Sequence, residues 1–209
     1  MAWSLLLAVV GVAAPLVASR GLSVFTTDTA RAREVATTPR TVPSVPLLDA
    51  DSTLRTLIDT DRSAPRPALI VDFIATRCQT LCAAQNGIYQ RLQRDIVSRG
   101  LASKVQLVTV SFDPLWDTPR ALRYFAVAQR PDPSVWRVLT PRDTSALRPL
   151  LDTFGIRVVR EGNEFIHNAA LHVLSADGRL RGIYPLTMSG AAMDESMERA
   201  LAHALELAR

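Results

Sequence analysis

Lysine is almost missing from this sequence: Lys104 is the only one among 24 basic residues, the rest being arginine, set against 20 acidic residues. The formal charge of +4 therefore comes from scattered arginines and not from a dense basic tract. Aromatic residues make up only 6% of the chain and do not alternate with basic ones, so the pattern carries no nucleic-acid footprint. Cysteine is equally scarce, with Cys78 and Cys82 the only two. A disulfide between them would close so small a loop that it would remove little chain entropy, which argues against a purely structural bridge. Histidine occurs three times, at His167, His172 and His203, so any metal site has few ligands to draw on. No internal repeat is present. What the chain does have is 209 residues, 48% of them apolar, enough for one domain with a full core and a short appendage.

The appendage is at the N-terminus. Met1 to Ser19 holds no charged side chain, is rich in Leu, Val and Ala, and is closed by Arg20. It is about long enough to cross a bilayer core and reads as an export signal or anchor over residues 1–20. Val17-Ala18-Ser19 offers small residues for cleavage, and the sequence leaves open whether the segment is cut. Arg31 and Arg33 follow it while its start lacks basic residues, which runs against the positive-inside rule, so export rests on the segment itself and on the chemistry downstream. Residues 21–45, rich in Thr, Arg, Ser and Pro without apolar period, predict an extended tether, and residues 46–209 the globular domain.

Within that domain the pattern predicts a short helix over Ser52 to Ile58, then a central buried strand over Ala68 to Ile74. A helix over Ala83 to Arg99 follows, with Gly100 as its stop, and a second strand over Val105 to Phe112. Asp117-Thr118-Pro119 marks a helix start, with the helix running over Arg120 to Gln129. Val135 to Leu139 reads as a strand, and Thr144 to Phe154 as a helix that must start late or kink at Pro149. A loop containing His167 then leads into a hairpin, Ala169 to Ser175 and Leu180 to Tyr184, and a last helix over Ser189 to Leu207. The order implies an α/β layer fold with a mixed sheet.

The chemistry lies in Arg77-Cys78-Gln79-Thr80-Leu81-Cys82, at the junction of a buried strand and a helix. Side chains four apart at a helix start share a face, and the helix N-terminus favours the thiolate. The pair therefore suits either dithiol–disulfide cycling or the donation of two soft ligands to a metal. Of the histidines, His172 within a strand and His203 within a helix fit structural roles, whereas His167 precedes a strand and is the candidate third ligand. Two thiolates and an imidazole suit Cu(I), and Cu(II) or Zn(II) if a further ligand is supplied. Asp113 and Asp117 fit a strand end and a helix cap, or positions that orient the cysteine loop. Arg77 either lowers a thiol pKa by its charge or is simply solvated.

Three blocks taken together resemble the Sco/SenC family of copper chaperones. These are Phe73-Ile74-Ala75-Thr76-Arg77-Cys78-Gln79-Thr80-Leu81-Cys82, then Val110-Ser111-Phe112-Asp113-Pro114-Leu115-Trp116-Asp117-Thr118-Pro119, then His167 ahead of Leu171-His172-Val173-Leu174-Ser175-Ala176-Asp177-Gly178. The resemblance covers nearly everything from Pro46 onward. It implies a thioredoxin-like fold, a central mixed β-sheet flanked by helices behind an N-terminal anchor, and copper held as Cu(I) or Cu(II) by Cys78, Cys82 and His167. It further implies an upstream copper donor and a respiratory client, the copper-bearing subunit of cytochrome c oxidase, whose dinuclear site receives copper or has its cysteines reduced. The domain is then expected outside the cytoplasm, membrane-anchored or released to the periplasm. The chain departs from the family at Gln79 and Ala83, where proline is usual, and at Ile166, where an acid commonly precedes the histidine. Two other readings of the same cysteines stand beside this one: an extracytoplasmic thiol-disulfide oxidoreductase in which Cys78 and Cys82 are catalytic without metal, and a peroxidase-like relative.

Overall fold

The computed structural model describes residues 27–58, 66–78, 81–162, 164–187 and 190–208. In chain order the elements are α1 (Thr27–Thr37), β1 (Arg40–Thr41), β2 (Leu47–Leu48), β3 (Leu54–Arg55), β4 (Ala68–Ile74), α2 (Leu81–Ser98) and β5 (Val105–Ser111). They continue with α3 (Pro119–Gln129), β6 (Trp136–Pro141), α4 (Thr144–Phe154), β7 (Val158–Glu161), β8 (Glu164–His167), β9 (Ala170–Leu174), β10 (Arg179–Pro185) and α5 (Gly190–Leu207). Eight strands form one sheet in the order β1-β10-β9-β4-β5-β6-β2-β3, and β7 with β8 forms a separate ribbon.

Every residue of β4 is buried, as a central strand covered on both faces requires. It pairs in parallel with β5, and β5 with β6, while β9 and β10 join antiparallel on the other side. The sheet is thus mixed, helices flank it, and the fold is thioredoxin-like. One layer of the core packs Phe73 edge-on to Phe154 at 4.9 Å, and the other sets Tyr89 against Trp136 at 5.3 Å. Among the described residues no helix is long and apolar enough to cross a membrane, and the segment over residues 1–20 lies outside them.

Two sequence expectations change. Residues 27–37, read as part of an extended tether, form α1, although only Val35 on it is fully buried. Its apolar stripe is too thin to show as a period, and tertiary contacts supply what propensity does not: the Arg31 guanidinium donates to the Gly155 carbonyl, and Asn168 donates to Asp28 at 3.2 Å. The helix expected over Ser52 to Ile58 is instead a tight reversal into β3. The Asp49 carboxylate accepts from the amides of Asp51 at 3.0 Å and Thr53 at 2.9 Å, and Ser52 takes φ +62°, which pairs Leu47 with Arg55 and Leu48 with Leu54. A short acid that bonds its own backbone outcompetes a helix there.

The helix over Thr144 to Phe154 forms despite Pro149. Asp143 caps it by accepting from Ser145 and Ala146, and Gly155 at φ 68° ends it. Proline costs that helix the amide that would have met the Ser145 carbonyl.

Candidate functional site

Three segments meet at the carboxyl ends of β4 and β5: the loop that carries Cys78, the turn after β5, and the β7–β8 ribbon. The Phe112 amide donates to the Ile74 carbonyl at 2.9 Å, which continues the β4–β5 pairing to the edge of the cysteine loop. The Cys78 amide then folds back onto the Ala75 carbonyl at 3.0 Å. Cys78 is 7% exposed, and the backbone of Cys82 lies in the first turn of α2, so the two cysteines bracket the loop-to-helix junction.

Asp117 holds this junction in place. It is fully buried and accepts from the Thr76 amide at 2.9 Å, from the Thr76 hydroxyl, and from the Ser111 hydroxyl at 2.6 Å. Burial pushes its carboxyl above the ordinary range, against the bonds from Ser111 and Thr76 that favour the carboxylate. Of the two sequence readings of Asp117, the helix cap is corrected and the position that orients the cysteine loop agrees with the structure: Thr118 caps α3, accepting from Ala121, while Asp117 ties the cysteine loop to β5. Asp113 is likewise more than a strand end, because its carboxylate takes Arg77 through Nε at 3.0 Å and Nη2 at 2.8 Å. Arg77 is neither simply solvated nor an unpaired cation beside a thiol. Its guanidinium is neutralised by Asp113 and lies over the rings of Trp116 at 5.1 Å and Phe165 at 5.0 Å.

His167, expected in a loop, is the last residue of β8, paired with Val158. The ribbon sits on the same end of the sheet as the cysteine loop. Phe112 touches both Phe165, at 5.4 Å between ring centroids, and His167, at 4.9 Å. Asn168 anchors the ribbon's base, accepting from the Arg157 amide at 2.7 Å and donating to the Gly155 carbonyl at 3.1 Å. Burial lowers the His167 pKa, partly offset by the Asn168 carbonyl 3.4 Å from Nδ1. Lowered from 6.5, the ring is mainly neutral near pH 7, with the Asn168 carbonyl facing Nδ1. Among the described residues no group of three His, Cys, Asp or Glu side chains forms a preassembled metal cluster. Cys82 is placed here by its backbone. The donor chemistry of two sulfurs and one imidazole suits a soft ion.

The other histidines have structural roles, as their positions in the sequence suggest. His172 is 1% exposed, reaches the Val71 carbonyl at 3.2 Å, and is pushed down to about 4 chiefly by burial. His203 meets the Tyr184 hydroxyl at 2.9 Å.

One acid escaped the sequence reading. Asp72, in the middle of β4, is fully buried, and among the described residues neither of its carboxyl oxygens has a hydrogen-bond partner. Burial raises it to about 7. The Thr109 and Tyr89 hydroxyls oppose that rise electrostatically without bonding it in good geometry. Tyr89 directs its proton at the Ile70 and Val108 carbonyls, at 2.9 and 3.3 Å, and Thr109 accepts from the Trp136 indole at 2.9 Å. Nothing marked Asp72 in sequence except a lone acid inside an otherwise apolar run.

Comparison with known proteins places this architecture. The solved structure of BsSco, described as a member of the Sco family of cytochrome c oxidase assembly proteins with a disulfide switch, matches 82% of this chain and 95% of its own, at TM-score 0.65 and 20% identity. Bradyrhizobium japonicum ScoI, solved with copper bound, matches 80% of this chain and 99% of its own, at TM-score 0.60 and 19% identity. These likenesses show the fold. A SCO1 protein homolog from Bacillus subtilis is 27% identical over 114 residues, 53% of this chain and 58% of the relative, so the match spans little more than half of that protein. The family model for SCO1/SenC matches residues 44–202, the cysteine loop, the Asp113–Asp117 turn and the ribbon included. The chain belongs to the SCO1/SenC family.

Proposed function

We propose that the protein is an extracytoplasmic copper carrier, anchored by the segment over residues 1–20, that takes Cu(I) on the thiolates of Cys78 and Cys82 and the imidazole of His167. It passes the ion to the copper-bearing subunit of cytochrome c oxidase or a related respiratory enzyme. The observation that carries this reading is the shared wall at Phe112: its ring lies 4.9 Å from the His167 ring, and its amide binds the Ile74 carbonyl, four residues before Cys78. Phe112 thereby links the ribbon to the strand that leads into the cysteine loop, through its ring on one side and its backbone on the other. Copper-bound relatives in the family, including Bradyrhizobium japonicum ScoI and yeast Sco1, support the choice of ion. Copper is here the cargo. Cys78 and Cys82 lose their thiol protons on taking it, His167 arrives already neutral, and an incoming client's ligands replace the three donors in turn.

Neutral His167 also fixes the expected pH dependence. Its pKa is lowered, so uptake should not demand deprotonation of the ring near pH 7, and the pH dependence of affinity should follow the thiols. The reduced full-length chain in mild detergent is titrated with Cu(I) against a competing chelator. One equivalent is expected, with affinity falling at least about tenfold in His167→Ala, since loss even of a ligand's outer-shell partner costs about 10–100-fold. Equal affinity in the two proteins removes His167 from the ligand set. If His167→Ala also retains full reduction of a disulfide substrate, the metal-free oxidoreductase reading takes its place.

A further inference from the structure

Eight large apolar side chains stand well exposed among the described residues, and four of them cluster at the cysteine end: Leu115 at 82%, Trp116 at 59%, Val159 at 61% and Ile166 at 58%. Leu115 and Trp116 tip the turn after β5, and Val159 pairs with Ile166 across the outer face of the ribbon. The Trp116 ring also stacks on a held cation. Arg77 is held under it by Asp113 and backed by Phe165, which favours this presentation of the aromatic. Trp and Arg are both among the residue types enriched at the hot spots of protein interfaces.

The charge at this end leans positive. Arg120, Arg157 and Arg160 are exposed and have no carboxylate partner among the described residues. Arg160 instead bonds the Gly162 carbonyl at 3.2 Å and Arg120 the Tyr124 hydroxyl at 3.3 Å. Of the acids nearby, Asp113 is spent on Arg77 and Asp117 is buried; Glu161, exposed, and Glu164, its partner across the ribbon, oppose the three arginines.

Resting on the carrier reading above, we infer that Leu115, Trp116 and the Val159–Ile166 pair form the docking surface for the copper-receiving protein. That protein presents an apolar contact ringed by carboxylates to meet Arg120, Arg157 and Arg160. Cargo exchange by ligand replacement needs the partner within bonding reach of Cys78 and His167; Leu115 and Trp116 stand on the turn whose Asp113 holds the cysteine loop's Arg77, and Val159 and Ile166 on the outer face of the ribbon that carries His167. Rim arginines act mainly on the association rate and its salt dependence, and the apolar centre on residence time.

The test uses the full-length chain, loaded with Cu(I), and the copper-free soluble domain of the copper-bearing oxidase subunit from the same organism. Leu115→Glu and Trp116→Ala are expected to slow transfer at least about tenfold with Cu(I) affinity unchanged. Arg157→Glu and Arg160→Glu should slow it and flatten its salt dependence, and Leu54→Glu, elsewhere on the surface, should leave it alone. Equilibrium binding of the two copper-free proteins is measured in parallel, so a native chain that takes no copper, which sinks the carrier reading, still reports on docking. Native transfer and native binding in Leu115→Glu and Trp116→Ala overturn the proposal. So does a native chain that self-associates through these residues, or that binds anionic vesicles but not the subunit.

Discussion

Asp72→Asn should raise the stability of the protein by about 4 kcal/mol at pH 8, or roughly 8–16 °C in melting temperature for a domain of this size, and should change it little at pH 4. Asp72 is fully buried, its oxygens are without hydrogen-bond partners among the described residues, and its carboxyl is raised from 3.8 to about 7. A raised acid binds its proton more tightly folded than unfolded. Its contribution is therefore whole below the unfolded pKa near 4 and is lost as pH climbs through 7, at 1.36 kcal/mol per unit. His172 has the opposite sign: lowered from 6.5 to about 4, it withdraws stability as pH falls through that window. Over the overlap, pH 4 to 6.5, the two slopes nearly cancel, so the native protein should show a plateau in chemical-denaturation stability. In Asp72→Asn the plateau should become a rise of about 3 kcal/mol from pH 4 to 6.5, the His172 limb uncovered. Asparagine matches the protonated acid in shape and charge, so a variant equally stable or unstable at every pH would show that Asp72 does not carry this burden.

That same residue shows where sequence legibility ended. The buried run Ala68–Ile74 was readable with both boundaries, because a strand covered on two faces must be apolar throughout. α2, β9 and β10 followed from period and turn chemistry to within a residue or two. The acid inside β4 carried no periodic signature, and only burial distinguishes it from a solvated aspartate. α1 was illegible for the reverse reason: a polar helix with one buried residue has no stripe, and the contacts that fix it come from Gly155 and Asn168, more than a hundred residues away. In the site, Cys78 and Cys82 declared themselves through spacing at a strand end. His167 could be singled out only as the histidine that fits no core element, since its nearness to the cysteine loop depends on a ribbon that packs through Phe112. For Asp117 the sequence could not choose between a cap and a loop-orienting position, because an acid before Thr-Pro reads as a cap in one dimension; Thr118 does that work and frees Asp117 to turn inward.

Asp117→Ala is expected to be the most damaging single change at the site. Alanine removes one acceptor and strands three donors: the Thr76 amide, the Thr76 hydroxyl and the Ser111 hydroxyl. A stranded buried donor costs about 1–3 kcal/mol. The Thr76 hydroxyl can rotate toward solvent, so a net loss of about 3–5 kcal/mol is expected. Asp117→Asn keeps the volume and one acceptor oxygen but turns the other position into a donor facing donors, so it should fall between native and Ala. The loss should be local before it is global. Thr76 is two residues from Cys78, and the loop between them is closed by the Cys78–Ala75 bond and the Asp117 contacts. Cut loose, the loop should expose Cys78, 7% accessible in the native fold, to a neutral alkylating reagent. Under native conditions in low denaturant, labelling of Cys78 should accelerate at least about tenfold, the factor expected from a loss of 1.4 kcal/mol or more in local opening. Backbone amides of the β9–β10 hairpin should keep their exchange protection. If Cys78 labels at the native rate in Asp117→Ala while the denaturation midpoint drops, Asp117 supports the fold as a whole and does not hold the cysteine loop.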